Sequence, residues 1–135
     1  MQYIITCPEH IDTSITLPAS KSISNRALII QALTKGGMMP ENLSDCDDTE
    51  VIIRGLSKQS DVIDIKAAGT AMRFMTAYLS ATDGEYTITG TERMKHRPIG
   101  ILVDALRYLG AEIEYVGEEG YPPLHIRGRQ LEGGS

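Results

Sequence analysis

The sequence predicts a mixed α+β fold, on three observations. Short stretches of period-two apolar alternation are interleaved with longer stretches of helical spacing. Gly and Pro fall mostly between these stretches. The two halves of the chain also share a pattern: each reads helix, strand, helix, strand, at low identity.

The elements follow in order. Tyr3-Ile4-Ile5-Thr6 and Ser14-Ile15-Thr16-Leu17 are expected as strands, and Pro18 ends the second. Ser22 to Thr34 is expected as a helix, because Ala27, Leu28, Ile30, Ala32 and Leu33 hold helical spacing; Lys35-Gly36-Gly37 would close it. Met38 to Leu43 contains Pro40 and can be at best an edge or irregular strand. Asp47-Asp48-Thr49-Glu50 puts acids at the start of a second helix that continues from Val51 to Leu56. Val62-Ile63-Asp64-Ile65 is a short strand, and Gly69 to Leu79 a third helix. Glu85 to Gly90 alternates as a strand. Pro98 suits a first helical position, so a fourth helix is expected from Ile99 to Leu109, stopped by Gly110. Ala111 to Val116 and Leu124 to Arg127 are the last strands, parted by the turn at Tyr121-Pro122-Pro123.

The 135 residues suffice for one modest domain with a core. A hydrophobic content of 41% and a charged content of 23% are those of a soluble globular chain. The net charge of −5 argues against generic nucleic-acid binding. Within that acidic background, Lys21, Arg26, Lys66, Arg73, Arg93, Lys95 and Arg97 gather near turns, which suggests local sites for small anions. Cys7 and Cys46 lie far apart without metal spacing, so free thiols in a cytoplasmic chain are expected. The start has no basic n-region, and no stretch approaches the roughly 20 apolar residues of a membrane span. His10, His96 and His125 are scattered and make no metal set. Leu131-Glu132-Gly133-Gly134-Ser135 is turn-rich, and the expectation is a chain cut in a loop.

Three segments carry candidate chemistry. In Pro18-Ala19-Ser20-Lys21-Ser22-Ile23-Ser24-Asn25-Arg26, Lys21, Arg26 and three hydroxyls surround a helix start, whose unpaired N–H groups favour phosphate or carboxylate. The alternative is an N-capped surface helix with solvated cations. In Ala68-Gly69-Thr70-Ala71-Met72-Arg73, Gly69 would let a ligand near the backbone, Thr70 could cap, and Arg73 lies one turn in. The alternative is a glycine before a buried helix with Met72, Met75 and Leu79 as core. In Thr91 to Pro98, Arg93, Lys95 and Arg97 precede a helix start, or form a solvated basic loop. Asp45-Cys46-Asp47-Asp48 could hold a divalent cation, cap a helix, or balance Lys21. Three cationic helix starts in one small acidic domain point to a ligand with more than one anionic group.

These residues resemble a known family. Leu17 to Leu28 resembles the N-terminal signature of 3-phosphoshikimate 1-carboxyvinyltransferase, EPSP synthase. Asp45-Cys46-Asp47-Asp48-Thr49 is similar to its acidic segment, and Ala68 to Arg73 to its glycine loop. Arg93 to Gly100 with Leu102 to Leu106, and Tyr121-Pro122-Pro123-Leu124, fit as well, all in the family's order. The resemblance implies transfer of the enolpyruvyl group of phosphoenolpyruvate to the 5-hydroxyl of shikimate 3-phosphate. Phosphate is released through a tetrahedral intermediate, on the route to chorismate and aromatic amino acids, without a cofactor. Glyphosate would act at the phosphoenolpyruvate site.

By the same resemblance, Lys21 would contact both substrates, and Ser22 and Arg26 would bind shikimate 3-phosphate. Gly69 and Thr70 would line the phosphoenolpyruvate pocket, Arg97 would hold that ligand, Asp48 would orient Lys21, and Arg73 would play a supporting part. The implied fold is α+β, made of βαβαββ units with helices inside and sheets outside, and this chain would supply about two of the three units of one domain. Residues 1–13 would be a first strand belonging to the other domain, and 14–135 a partial substrate-binding domain. The full-length protein would be a monomer, without nucleic-acid or membrane partners; the fragment, lacking the C-terminal part, would bind weakly and be inactive. Two departures stand out. The glycine loop, usually Gly-Asn-Ala-Gly-Thr, is Lys66-Ala67-Ala68-Gly69-Thr70, and the stretch between Leu56 and Ala67 is short. Two other readings are a UDP-N-acetylglucosamine enolpyruvyl transferase relative and a non-catalytic anion-binding domain. The first would carry Lys-Asn where this chain has Lys21-Ser22.

Overall fold

One mixed sheet carries the fold in the computed structural model, which describes residues 2–34, 37–57 and 60–132. Its strands are β1 (Val62–Asp64), β2 (Gly84–Thr89), β3 (Glu112–Tyr115) and β4 (Leu124–Gly128), hydrogen-bonded in the order β1-β2-β4-β3. β1 and β2 are parallel, which requires a crossover, and α3 (Gly69–Ser80) supplies it. β4 runs antiparallel to both β2 and β3. The register sets Ile63 beside Ile88, Ile88 beside Leu124, and Ile126 between Tyr86 and Ile113. All six are buried.

The alternate residues make a wet face. There Glu85 accepts from His125 Nε2 at 2.9 Å, and Arg129 pairs with Glu112 at 2.6 Å. Helices cover the other face. α3 turns Met72, Met75 and Leu79 into the core, as its spacing predicts. Its buried hydroxyls fold back on the helix, Thr76 onto the Met72 carbonyl at 2.8 Å and Ser80 onto that of Thr76 at 2.7 Å. α5 (Gly100–Tyr108) follows β2 and buries Val103 and Leu106. Together β1, α3, β2, α5, β3 and β4 form one βαβαββ unit. α1 (Lys21–Leu33) and α2 (Asp47–Leu56) pack on each other and on α3. The fold is α+β.

Several expected elements do not form. Tyr3 to Thr6 and Ser14 to Leu17 are not strands. A strand needs a partner ladder, and among the described residues no strand pairs with these segments, whose Ile4, Ile5, Ile15 and Leu17 are each at least 77% exposed. Met38 to Leu43 is irregular, because Pro40 offers no donor and Asn42 turns left-handed at φ 52°. The repeated helix-strand-helix-strand pattern therefore fails in the first half, whose two helices have no described strand between them. Lys35 and Gly36, expected to close α1, lie outside the described residues. The Thr91 to Pro98 stretch holds a one-turn helix, α4 (Glu92–Lys95), that the sequence reading lacked. Pro98 is not the first residue of α5, which starts at Gly100 with Ile99 as its N-cap.

Candidate functional site

The first cluster forms where α1 and α2 begin. Ser20 caps α1, its hydroxyl accepting from the Ile23 N–H at 3.4 Å. Lys21 is the first helical residue, and its Nζ reaches Asp48 Oδ1 at 3.1 Å. Asp48 stands in the first turn of α2, where the helix dipole favours a carboxylate. The Lys21 side chain keeps 49% of its surface exposed, so it is paired on one side and open on the other.

Polar contacts that the sequence reading missed fix this junction. Ser24 and Asn25 are buried on α1. Ser24 Oγ accepts from the Ser44 N–H, and Asn25 Oδ1 accepts from Thr49 Oγ1, both at 2.9 Å. The available signal was two small polar residues on the helix face that also carries Leu28. Asn25 Nδ2 has no partner among the described residues. Cys46, the N-cap of α2, lies 3.4 Å from Thr49 Oγ1. Burial pushes its thiol pKa up. Hydrogen bonds with the Ser44 and Thr49 hydroxyls and the Thr49 and Asp48 N–H groups outweigh that and hold it below the ordinary value. Arg26 is further along α1, donating to the Ser22 carbonyl at 3.0 Å, with its guanidinium 5.7 Å from the Phe74 ring centre on α3.

The second cluster forms at the start of α3. Ala68 is the N-cap and provides no side-chain cap, so Thr70 lies inside the first turn, exposed, rather than capping it. Gly69 is buried beneath the Arg97 guanidinium. A Cβ built on it would stand 2.6 Å from Arg97 Cζ. The glycine is therefore needed for a side chain of this molecule to approach, which the sequence reading ascribed to a ligand. Arg97 is exposed and makes no ion pair among the described residues. Arg73 spends two of its donors within the molecule: Nη1 bonds the Gly69 carbonyl at 3.1 Å and Nη2 the Pro98 carbonyl at 2.9 Å. It ties the α3 start to the segment bearing Arg97. Of the other two cations in that segment, Lys95 is paired with Glu92 at 2.6 Å, which holds the Glu92 carboxyl below its usual value. Arg93 is exposed.

The structure thus pairs Lys21 with Asp48 at one helix junction, with Ser22 and Arg26 further along α1, and sets Gly69 against Arg97 and Arg73 at another, with Thr70 in the same first turn. Arg26 lies over Phe74 of α3, the helix whose start carries the second cluster. Lys21, Ser22, Arg26, Thr70 and Arg97 are exposed, while Asp48 and Arg73 are half-buried and Gly69 is buried. A hollow of about 660 Å³ lies elsewhere, between the C-terminal ends of α1 and α3, and the described residues that line it, Leu33, Tyr78, Asp83 and Leu131 among them, include no Lys or Arg. Two cationic helix starts on an exposed face can hold phosphate or carboxylate groups on one side and leave the other side open.

Comparison with known proteins agrees along nearly the whole chain. Residues 5–58 and 51–135 match the sequence pattern of EPSP synthase (3-phosphoshikimate 1-carboxyvinyltransferase). A 3-phosphoshikimate 1-carboxyvinyltransferase of Bacteroides fragilis is 66% identical over 133 residues, covering 98% of this chain and 32% of the relative. One from Photobacterium damsela subsp. piscicida is 43% identical over 150 residues, covering 92% of this chain and 35% of its own. An alignment longer than the 135-residue chain means that this relative carries residues missing from it. Two solved structures of EPSP synthase from Acinetobacter baumannii superpose with TM-scores of 0.74 and 0.75 at 23% identity, over 88% of this chain and 33% of theirs. The chain spans about a third of the length of the curated relatives it matches. A family pattern that runs from residue 5 to residue 135 makes this chain a member of the EPSP synthase family.

Proposed function

We propose that the chain is the part of a cytoplasmic 3-phosphoshikimate 1-carboxyvinyltransferase that holds shikimate 3-phosphate and one side of phosphoenolpyruvate. Residues 14–135 would be a partial substrate-binding domain, and 1–13 would pack with the rest of the longer protein. The observation that carries this reading is the Lys21–Asp48 pair at 3.1 Å, which fixes an ammonium at the meeting of two helix starts while leaving half of it exposed. Ser22 and Arg26 lie on the same helix and would receive the phosphate of shikimate 3-phosphate. Arg97, seated on Gly69, would hold phosphoenolpyruvate beside Thr70. Lys21 would contact both substrates as the 5-hydroxyl adds to the enolpyruvyl group and phosphate is then eliminated. Asp48 would orient Lys21 without touching either.

An open half-site cannot exclude water or surround a developing charge, and both are needed for the chemistry. The chain by itself is expected to bind weakly and not to turn over. The test is phosphate release from phosphoenolpyruvate with shikimate 3-phosphate present. It is run on the 135-residue chain and on the same segment joined to the two thirds that its relatives add. Release by the joined form alone is the expected result. Turnover by the short chain at an ordinary enzymatic rate would overturn the half-site reading. No helix among the described residues is long and apolar enough to cross a membrane.

A further inference from the structure

The connection from β1 to α3 contains a residue in an unfavourable conformation. Lys66 adopts φ 53°, the left-handed region in which a Cβ crowds the following carbonyl. Neither glycine nor asparagine occupies the position, so something outside the residue must hold it. Two contacts do. The Asp64 carboxylate accepts the Lys66 N–H at 2.8 Å. The Lys66 carbonyl receives the Thr91 N–H at 3.0 Å and the Thr91 hydroxyl at 3.4 Å. Gly90 makes that approach possible, since a Cβ there would stand 2.5 Å from the Lys66 oxygen. The turn thus joins two loops. One leads through Ala67 and Ala68 into Gly69 and Thr70; the other leads from Thr91 through α4 to Arg97. On the far side the same loops are joined by Arg73, which bonds the Gly69 and Pro98 carbonyls. Gly69 and Arg97 are held in contact between the two ties.

We propose that Asp64 is a positioning residue for the phosphoenolpyruvate side of the site. By accepting the Lys66 N–H it keeps Lys66 left-handed, and this aims the Lys66 carbonyl at Thr91 and sets Arg97 against Gly69. Asp64 touches no substrate. The inference rests on the assignment of Gly69, Thr70 and Arg97 to phosphoenolpyruvate, and it names what fixes their geometry in this chain.

The test is a cycle of Asp64→Ala and Lys66→Gly in the segment joined to the rest of its relatives' length, with KM measured for each substrate. Asp64→Ala should raise KM for phosphoenolpyruvate by roughly 10-fold, the order expected when a binding group is displaced by a fraction of an ångström. KM for shikimate 3-phosphate should move less than about twofold, because Ser22 and Arg26 are held by other contacts. Asp64→Asn, whose side-chain oxygen still accepts, should recover most of the loss. In the Lys66→Gly background, where the left-handed turn needs no support, Asp64→Ala should change KM by less than about twofold. A full effect in that background, or an equal effect on both substrates, would overturn the positioning role. Arg97→Ala is the control for the underlying assignment. If it leaves phosphoenolpyruvate unaffected, the pocket assignment fails; if it weakens that ligand while Asp64→Ala does not, only the role of Asp64 fails.

Discussion

The guanidinium of Arg97 rests on the Cα of Gly69, close enough that a Cβ at residue 69 would stand 2.6 Å from its Cζ. The clash falls on the end of a flexible side chain, so relief is cheap for the fold and costly for the site. Gly69→Ala should therefore leave thermal stability nearly unchanged and push Arg97 aside. Phosphoenolpyruvate binding should weaken, while shikimate 3-phosphate, assigned to Ser22 and Arg26, should be affected less. Calorimetric titration of each ligand separates the two outcomes. An equal loss for both substrates would remove the glycine loop from the phosphoenolpyruvate pocket.

Arg97→Lys probes the same contact from the other side. A lysine ammonium is a point charge; it cannot lie flat on Gly69 or present a two-pronged donor to a carboxylate. The loss in phosphoenolpyruvate affinity should be about 10-fold, the value of roughly one charge-assisted hydrogen bond. The two substitutions should not add, because each removes the same seated guanidinium. An additive double variant would show that Gly69 and Arg97 act separately.

Lys21→Ala should cost at least ~100-fold in kcat/KM in the joined protein, the order found when one preorganised donor is removed from a reacting centre. The ion pair with Asp48 is half-exposed and contributes little to stability. The unfolding midpoint should therefore barely move, and the loss should appear in turnover. A decrease of less than threefold would show that this ammonium does not serve the reaction.

The sequence made the helices and the later strands legible because each buries a periodic face: Met72, Met75 and Leu79 on α3, Tyr86 and Ile88 on β2. It misled at Tyr3 to Thr6 and Ser14 to Leu17, where the composition suits a strand but no strand among the described residues pairs with them. Local pattern reports what a segment can do, and a ladder depends on what stands beside it. In the site, Lys21 with Asp48 was readable as opposite charges at two helix starts. The reason for Gly69 was not, because Arg97 lies 28 positions away in the sequence and reaches it only through the fold. Asn25 with Thr49 was hidden for the same reason.

The Cys46 thiol offers a pH readout of the α1–α2 junction. Burial pushes its pKa up, but hydrogen bonds with Ser44, Thr49 and the N–H groups of α2 bring it below the ordinary 9.0. Its thiolate is thus favoured by folding. The stability it contributes is fully present above the unfolded value and disappears as pH falls through the lowered folded value. Alkylation by iodoacetamide should therefore reach its half-maximal rate below pH 9.0 in the folded chain and shift upward on unfolding. Thr49→Val should move the folded midpoint toward the ordinary value. A midpoint unchanged by unfolding would show that the helix start does not act on the sulfur.

Gly128 gives the opposite case to Gly69. It closes β4 against the end of α3, where Arg129 N–H bonds the Ser80 carbonyl at 3.1 Å. A Cβ at residue 128 would overlap the backbone carbonyls of Thr82 and Leu79, with the Thr82 carbonyl carbon 2.8 Å away. Backbone cannot swing aside as the Arg97 guanidinium can, so β4 would have to withdraw from α3 and strain the β2–β4 register with it. Gly128→Ala should lower the unfolding free energy by about 1–3 kcal/mol, the usual range for overpacking. It should do so without a selective effect on either substrate. Urea unfolding of Gly128→Ala beside Gly69→Ala tests both: the first should lose stability and the second should not. If the two lost equal amounts, the distinction between a yielding and an unyielding neighbour would be wrong.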